Sequence, residues 1–465
     1  MIQAVNNVNN TANGFIVYPD YKSSGVAWLG DIPSHWEVKK CKYIFEFSGG
    51  LNITKANLID KGIPCVNYGE VHSKYGFEVD PALHELKCVS NDYLNTHPNA
   101  VIKKGDFVFA DTSEDYEGSG NFTHLNSDIV TFAGYHTVVA RQNIHNHRFL
   151  AYVFDSQKFR NQIQNSVSGV KVFSITQAIL KNSFIWFPDH QEQQAIVNFL
   201  DEKTDHIDRL IDKQQQLINK LAEQRTAIIS HAVTKGLNPN SPMKNSGVEW
   251  LGDIPEHWEV KRLKYLVSCN DDVLSEKTDA DYEINYIDIS SVSLTEGVKH
   301  KEHLLFHKSP SRARRIVIKG DVIISTVRTY LKAIAQIEEE SDNLIVSTGF
   351  AVLRSKENLF DKFLGYWVQS EIIISKIMAN SNGVSYPAIN ATDIVKLPIV
   401  SLPLNEQQAI VNYLDEKTAN IDKMTQATKS TIDKLKEYRS ALITQAVTGK
   451  IDVRHLANTN PNQHK

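Results

Sequence analysis

The residues best equipped for chemistry are the cations of one stretch. From His300 to Lys332 the chain carries eight of them (Lys301, Lys308, Arg312, Arg314, Arg315, Lys319, Arg328 and Lys332) against two acids, Glu302 and Asp321. Such a local excess makes a positive face, although the 465-residue chain as a whole has a formal net charge of −4. Arginine holds phosphate and bonds guanine through two parallel donors. Arg312, Arg314, Arg315, Arg328 and Lys332, with Ser325 and Tyr330, are therefore candidates for nucleic-acid contact; the competing reading is a solvated basic surface. The corresponding earlier stretch, 111–121, is acidic (Asp111, Glu114, Asp115, Glu117). There Ser119 and Asn121 are candidates for base-edge hydrogen bonds, and Arg141 and Lys171 for phosphate, with Lys103, Lys104, Arg148, Lys158 and Arg160 as alternatives.

Other chemistry finds no footing. No Gly-rich nucleotide fingerprint, Walker loop, amino-methyltransferase motif or zinc-type His spacing is present in the sequence. Glu85 and Lys87 read as a surface pair. Four scattered cysteines (Cys41, Cys65, Cys88, Cys269) favour reduced thiols in a cytoplasm. Residues 1–14 lack the basic and apolar regions of a secretory signal, and no apolar run approaches the roughly 20 residues of a membrane span. No metal site and no cofactor of the chain's own is expected.

The elements that must position these residues come in two copies. Gly25-Val-Ala-Trp28-Leu-Gly-Asp-Ile-Pro-Ser-His35-Trp36-Glu-Val-Lys39 returns as Gly247-Val-Glu-Trp250-Leu-Gly-Asp-Ile-Pro-Glu-His257-Trp258-Glu-Val-Lys261. Glu192-Gln-Gln-Ala-Ile-Val-Asn-Phe-Leu-Asp-Glu-Lys-Thr204 returns as Glu406 to Thr418 with one change, Phe199 to Tyr413. Between these fixed ends the middles differ, most in length between about residues 44 and 103. Lys104-Gly-Asp106 and Lys319-Gly-Asp321 each feed a strand-like run; 137–140, 284–289 and 350–353 are further strand candidates, and 149–163 and 363–377 read as matching helices. His35 and His257 are expected to pack or bond a turn.

Each copy ends on a long helix with a heptad seam. In the first the apolar seam residues are Ile196, Leu200, Ile207, Leu210, Leu217, Leu221 and Ile228; in the second, Ile410, Leu414, Ile421, Met424, Leu435, Tyr438 and Leu442. Neither is broken by Gly or Pro before Gly236 or Gly449, which sit where a C-terminal cap belongs. The seam of 196–228 spans roughly 50 Å at about 1.5 Å per residue. Two matched helices in one chain favour an antiparallel intramolecular coiled coil, and the repeated Asp-Glu-Lys-Thr reads as its solvated face. The division expected is a polar tail (1–23), a first α/β (α+β) domain (24–188), a long helix and linker (189–240), a second domain (241–402), a second long helix (403–450) and a polar tail (451–465).

This order resembles the specificity subunit of a type I restriction–modification enzyme over about residues 24–455. The resemblance rests on the lead-in Gly-Val-x-Trp-Leu-Gly-x-Ile-Pro-x-His-Trp and the helix opening Glu-Gln-Gln-Ala-Ile-Val-x-x-Leu-Asp-Glu-Lys-Thr, each present twice. It implies two target-recognition domains, each reading half of a bipartite, asymmetric site in double-stranded DNA, and paired helices that set the spacer. It also implies two methyltransferase subunits using S-adenosylmethionine, restriction subunits using ATP and magnesium, and no catalysis by this chain. The competing readings are a coiled-coil scaffold and a stand-alone DNA-binding protein or nuclease.

Overall fold

The computed structural model describes residues 11–12, 15–169 and 172–456. The chain divides into two compact units, residues 1–213 with 431–465, and residues 214–430. Each unit contains the end of one long helix and the beginning of the other, because these helices run from His190 to Lys235 and from Leu404 to Val447.

Within the first unit two sheets carry the variable domain. One orders its strands Glu46–Gly49, Thr137–Arg141, Phe107–Ala110, Phe122–Leu125 and Phe77–Val79. The other orders Val101–Ile102, Thr131–Ala133, Ile63–Val66 and Cys88–Val89. The second unit repeats this: Val267–Cys269, Phe350–Ser355, Val322–Ser325 and Ile334–Gln336 in one sheet, and Ala313–Ile316, Leu344–Ser347, Glu283–Ile287 and Glu302–Leu305 in the other. The inner strands are apolar because both faces are covered; Phe107–Ala110 and Val322–Ser325 are buried throughout. The extra strand of the first unit, Phe77–Val79, lies in the stretch where the sequence lengths diverge.

The Lys-Gly-Asp turns are built alike. Gly105 and Gly320 have φ of 90° and 93°, a region that favours glycine. Asp106 accepts the Lys103 N–H, and Asp321 the Ile318 N–H, each at 2.9 Å. The strand expectations at 137–140 and 350–353 hold, and the run at 284–289 is a strand to Ile287 followed by a 3-10 turn.

The stretches at 149–163 and 363–377 each hold two helices where one was expected. They are His147–Asp155 with Gln157–Gln164, and Asp361–Gln369 with Glu371–Ala379. Ser156 and Ser370 take extended backbone at the break, and each hydroxyl bonds the carbonyl three residues back at 2.6 Å. A serine that satisfies its own backbone ends a helix as effectively as a glycine.

The long helices pair antiparallel in each unit. In the first, Ile196, Leu200 and Ile207 share a core with Leu442, Ile443, Ala446 and Val447, and Arg439 Nε lies 3.0 Å from Asp208. In the second, Ile229, Ala232 and Val233 share a core with Ile410, Val411 and Leu414. Four of the fourteen expected apolar seam residues, Leu210, Leu217, Met424 and Tyr438, are displaced by one position. Ile211 and Ile218 face inward in place of Leu210 and Leu217, and Thr425 and Arg439 in place of Met424 and Tyr438; Thr204, Arg225 and Ile432 face inward too. Met424 and Tyr438 are half-exposed, at 51% and 52%, and Leu217 is exposed at 38%. Thr425 and Arg439 occupy inward positions that carry no apolar signature, beside the apolar Met424 and Tyr438.

The stretch from 451, read from sequence as a polar tail, begins as core. Ile451 and Val453 are fully buried, and the Asp452 N–H bonds the Ile16 carbonyl.

Candidate nucleic-acid interface

A latch joins the two repeated motifs in each unit. Glu192, at the start of the first long helix, accepts from Trp36 Nε1 at 3.0 Å and meets His35 Nε2 at 2.7 Å. Glu406 accepts from Trp258 Nε1 at 3.0 Å and meets His257 Nε2 at 2.9 Å. The adjacent glutamines do equivalent work: Gln193 bonds the Asn146 N–H and Pro188 carbonyl, and Gln407 the Phe360 N–H and Leu402 carbonyl. The Asp-Glu-Lys-Thr motif is therefore only half solvated. Asp201 and Thr204 are held by the Tyr152 hydroxyl at 2.6 and 3.1 Å, and Asp415 and Thr418 by Tyr366 at 2.7 and 3.2 Å. Burial above all pushes both phenols up, so they stay protonated donors. Sequence reasoning saw these motifs but not that they touch; their recurrence in the same order was the available signal.

The latches fix the frame, and the candidate reading residues lie beyond it. In the second unit Val322–Ser325 ends at a tight turn, Thr329–Leu331, flanked by Arg328 and Lys332, both in left-handed backbone at φ 50°. This turn rests on the segment 381–389. Thr329 bonds the Ser381 hydroxyl at 2.9 Å, Val327 bridges to Ala388, and the Ile389 N–H bonds the Thr326 carbonyl. Arg328, Tyr330 and Lys332 are exposed, and the Arg328 guanidinium stands 4.9 Å from the centre of the Tyr386 ring.

The remaining arginines are more constrained. Arg312 is exposed but bonds the Tyr286 hydroxyl at 3.1 Å and Asp288 at 2.8 Å. Arg314 packs over Phe306 and bonds the Ala313 carbonyl. Arg315 is partly buried, its Nε has no hydrogen-bond partner, and burial lowers its pKa. The basic run from 300 to 332 does not form one face: Glu302–Leu305 and Ala313–Ile316 are opposite edges of one sheet.

Three expectations are corrected. Ser325 is buried and spends its hydroxyl on the Val327 carbonyl. Ser119 is fully buried. Arg141 is consumed by Ser48, the Asn99 and Val101 carbonyls and Asp106, and so braces the Gly-Asp turn. Arg354 does the same in the second unit, bonding Asp321 twice at 2.8 Å. Asn121 is partly exposed, but its side chain links the His72 carbonyl to Arg160. Lys171 lies outside the described residues. The first unit's counterpart of the tip pairs Thr112–Ser113 with Phe173–Ser174 and carries Tyr116 edge-on to Phe173.

The family described as the type I restriction modification DNA specificity domain matches twice, over residues 33–222 and 255–434. The chain belongs to this family. A putative type I restriction enzyme MjaX specificity subunit of Methanocaldococcus jannaschii is 24% identical over 442 residues, covering 92% of this chain and 96% of that one. The EcoBI specificity subunit of Escherichia coli is 21% identical over 68% of each chain. A solved chain, described under complex assembly and conformational transition of the type I R-M system, superposes with a TM-score of 0.65 at 17% identity, covering 90% of this chain and 99% of its own. That likeness establishes the fold. This specificity chain therefore has two like units, each offering a rigid frame and its own tip.

Proposed function

We propose that this specificity subunit reads a bipartite, asymmetric site in double-stranded DNA, one half with each variable domain. Its paired helices set the spacer and hold two methyltransferase subunits, which bring S-adenosylmethionine and methylate adenine. Restriction subunits supply ATP- and magnesium-dependent translocation and cleavage, and the work is done in the cytoplasm. The chain itself supplies no catalytic group. One observation carries the reading: the two units share latch, sheet order and helix pairing while their tips differ in charge and residue type. Like frames suit a shared partner, and unlike tips suit two different half-sites.

The test is an exchange of residues 265–400 for those of a related subunit, with methylated adenines mapped by sequencing DNA from cells carrying the complex. One half of the motif changes and the other half and spacer stay. An unaltered motif refutes the assignment.

A further inference from the structure

The apolar tip of the second unit is unexplained by its own packing. Val384 is fully exposed, with Tyr386 at 65%, Tyr330 at 50%, Leu331 at 47% and Val327 at 36%. Val384 and Tyr386 stand on a hairpin, and Val327, Tyr330 and Leu331 on the neighbouring turn. Asn382 and Ala388 exchange both backbone hydrogen bonds, at 2.8 and 2.9 Å. Gly383 has φ 106°, and a Cβ there would lie 3.2 Å from the Tyr386 carbonyl oxygen. Two non-glycine residues in left-handed backbone, Arg328 and Lys332, frame the neighbouring turn. Strain of that kind persists only where the surroundings enforce it and gathers at working surfaces.

The charge around this patch selects its occupant. The segments 326–332 and 381–389 contain Arg328 and Lys332 and no acid. In the first unit the stretch equivalent to 326–332, 111–117, contains four acids, whereas that equivalent to 381–389, 167–175, contains Lys171 and no acid. A partner protein serving both units alike needs like surfaces, and the latches and helices provide them. The units disagree at the turn, 326–332 against 111–117, and at Tyr386 against Val172, while Gly383-Val384 matches Gly169-Val170; the differing positions suit the ligand whose sequence differs between halves. Proteins that press apolar side chains between base steps kink the duplex and hold it with flanking cations.

We propose that Val384 and Tyr386 enter a base step of the half-site read by residues 241–402 as an apolar wedge, with Arg328 and Lys332 on the adjoining phosphates. This rests on the DNA-recognition reading above.

The experiment uses this chain assembled with its methyltransferase subunits. The probe is a duplex carrying the motif mapped from methylated adenines, with 2-aminopurine placed in turn at each position of that half-site. Binding raises the fluorescence at one step. The V384S/Y386S variant loses that rise and binds roughly ten- to a hundredfold more weakly, and V384L, which keeps an apolar tip, retains it. Arg328→Ala lowers the slope of log affinity against log salt by about one. Tight binding to the mapped site without a rise at any step overturns the wedge and leaves recognition standing. So does hydrogen-exchange protection of 381–388 by the methyltransferase subunits before DNA is added. Failure of the assembled complex to prefer its mapped motif overturns recognition itself.

Discussion

The two units solve the same mechanical problem with the same atoms and then diverge where they face outward. In each, a tryptophan and a histidine of the lead-in close on the glutamate that opens a long helix. The closures differ in depth. Glu192 is 4% exposed and accepts a further bond from the Tyr18 hydroxyl at 2.6 Å, whereas Glu406 is 29% exposed with no tyrosine in that place. The difference arises because residues 15–23 and 451–456 both cover the first latch; Asp452 N–H bonds the Ile16 carbonyl there and Arg454 lies over Tyr18.

The largest expected effect breaks a latch. Trp36 and Trp258 are both fully buried, so Trp36→Ala and Trp258→Ala each cost about 3–5 kcal/mol of local stability. The loss falls on the unit that carries the change. Hydrogen exchange with mass spectrometry reads it, and equal deprotection of both units by either variant contradicts separate frames. Replacing the glutamates separates the two latches. Glu192→Ala strands two buried donors, Trp36 Nε1 and the Tyr18 hydroxyl, and costs more than Glu406→Ala, which strands Trp258 Nε1 alone, each buried donor contributing about 1–3 kcal/mol; equal losses remove the distinction.

A smaller effect concerns the crossed arginines. Arg439 has two carboxylates, Asp208 at 3.0 Å and Asp155 at 3.4 Å. Arg225 has Asp422 at 3.7 Å, its Nε makes no hydrogen bond, and Gln369 occupies the place that Asp155 holds in the first unit. Arg225 also lines a cavity of about 530 Å³ with Lys362, Tyr366, Gln369, Asp415 and Asp422. Gln369→Asp should therefore stabilise the second unit by about 0.5–1.5 kcal/mol, while Asp155→Gln destabilises the first. Denaturant unfolding monitored by exchange measures both, and a destabilising Gln369→Asp shows that the aspartate is too far from Arg225 to pair.

The repeat, the two long helices, the Gly-Asp turns and the mixed domains were all legible in the sequence, because each is a local pattern seen twice. What escaped was written in pairings between distant residues. Trp36 and Glu192 are 156 positions apart, and no periodicity links them. Most expected seam residues lie in the cores; Leu210, Leu217, Met424 and Tyr438 do not, because inward positions also include Thr204, Arg225, Thr425 and Arg439, which find partners or shelter that composition does not reveal. Of the candidate contact residues, Arg328, Tyr330 and Lys332 are exposed at a tight turn. Ser325 and Arg141 fail for one reason, that a polar side chain near a turn serves the turn first; Ser119 is buried, its hydroxyl without a hydrogen-bond partner. The exposed hairpin bearing Val384 and Tyr386 escaped the sequence, since exposed apolar residues are indistinguishable from core there.

A last contrast is a pH dependence that weighs more on the first unit. His124 is buried between strands, its Nδ1 2.6 Å from the Phe77 carbonyl, and burial pushes its pKa down to about 3. In the second unit the strand position facing the start of the equivalent inner strand is Gln336, which does not titrate. Unfolded histidine titrates near 6.5, so between about pH 6.5 and 3 the unfolded first unit binds a proton that the folded one refuses. Its stability is full above that window and falls as the pH drops through it. Exchange measured at pH 7 and at pH 5 should show the strand Phe122–Leu125 loosening on acidification, with Ile334–Gln336 changing less. His124→Gln, which installs the second unit's residue, should flatten that difference; if acid loosens both strands equally in the variant and the parent, the contrast lies in other groups.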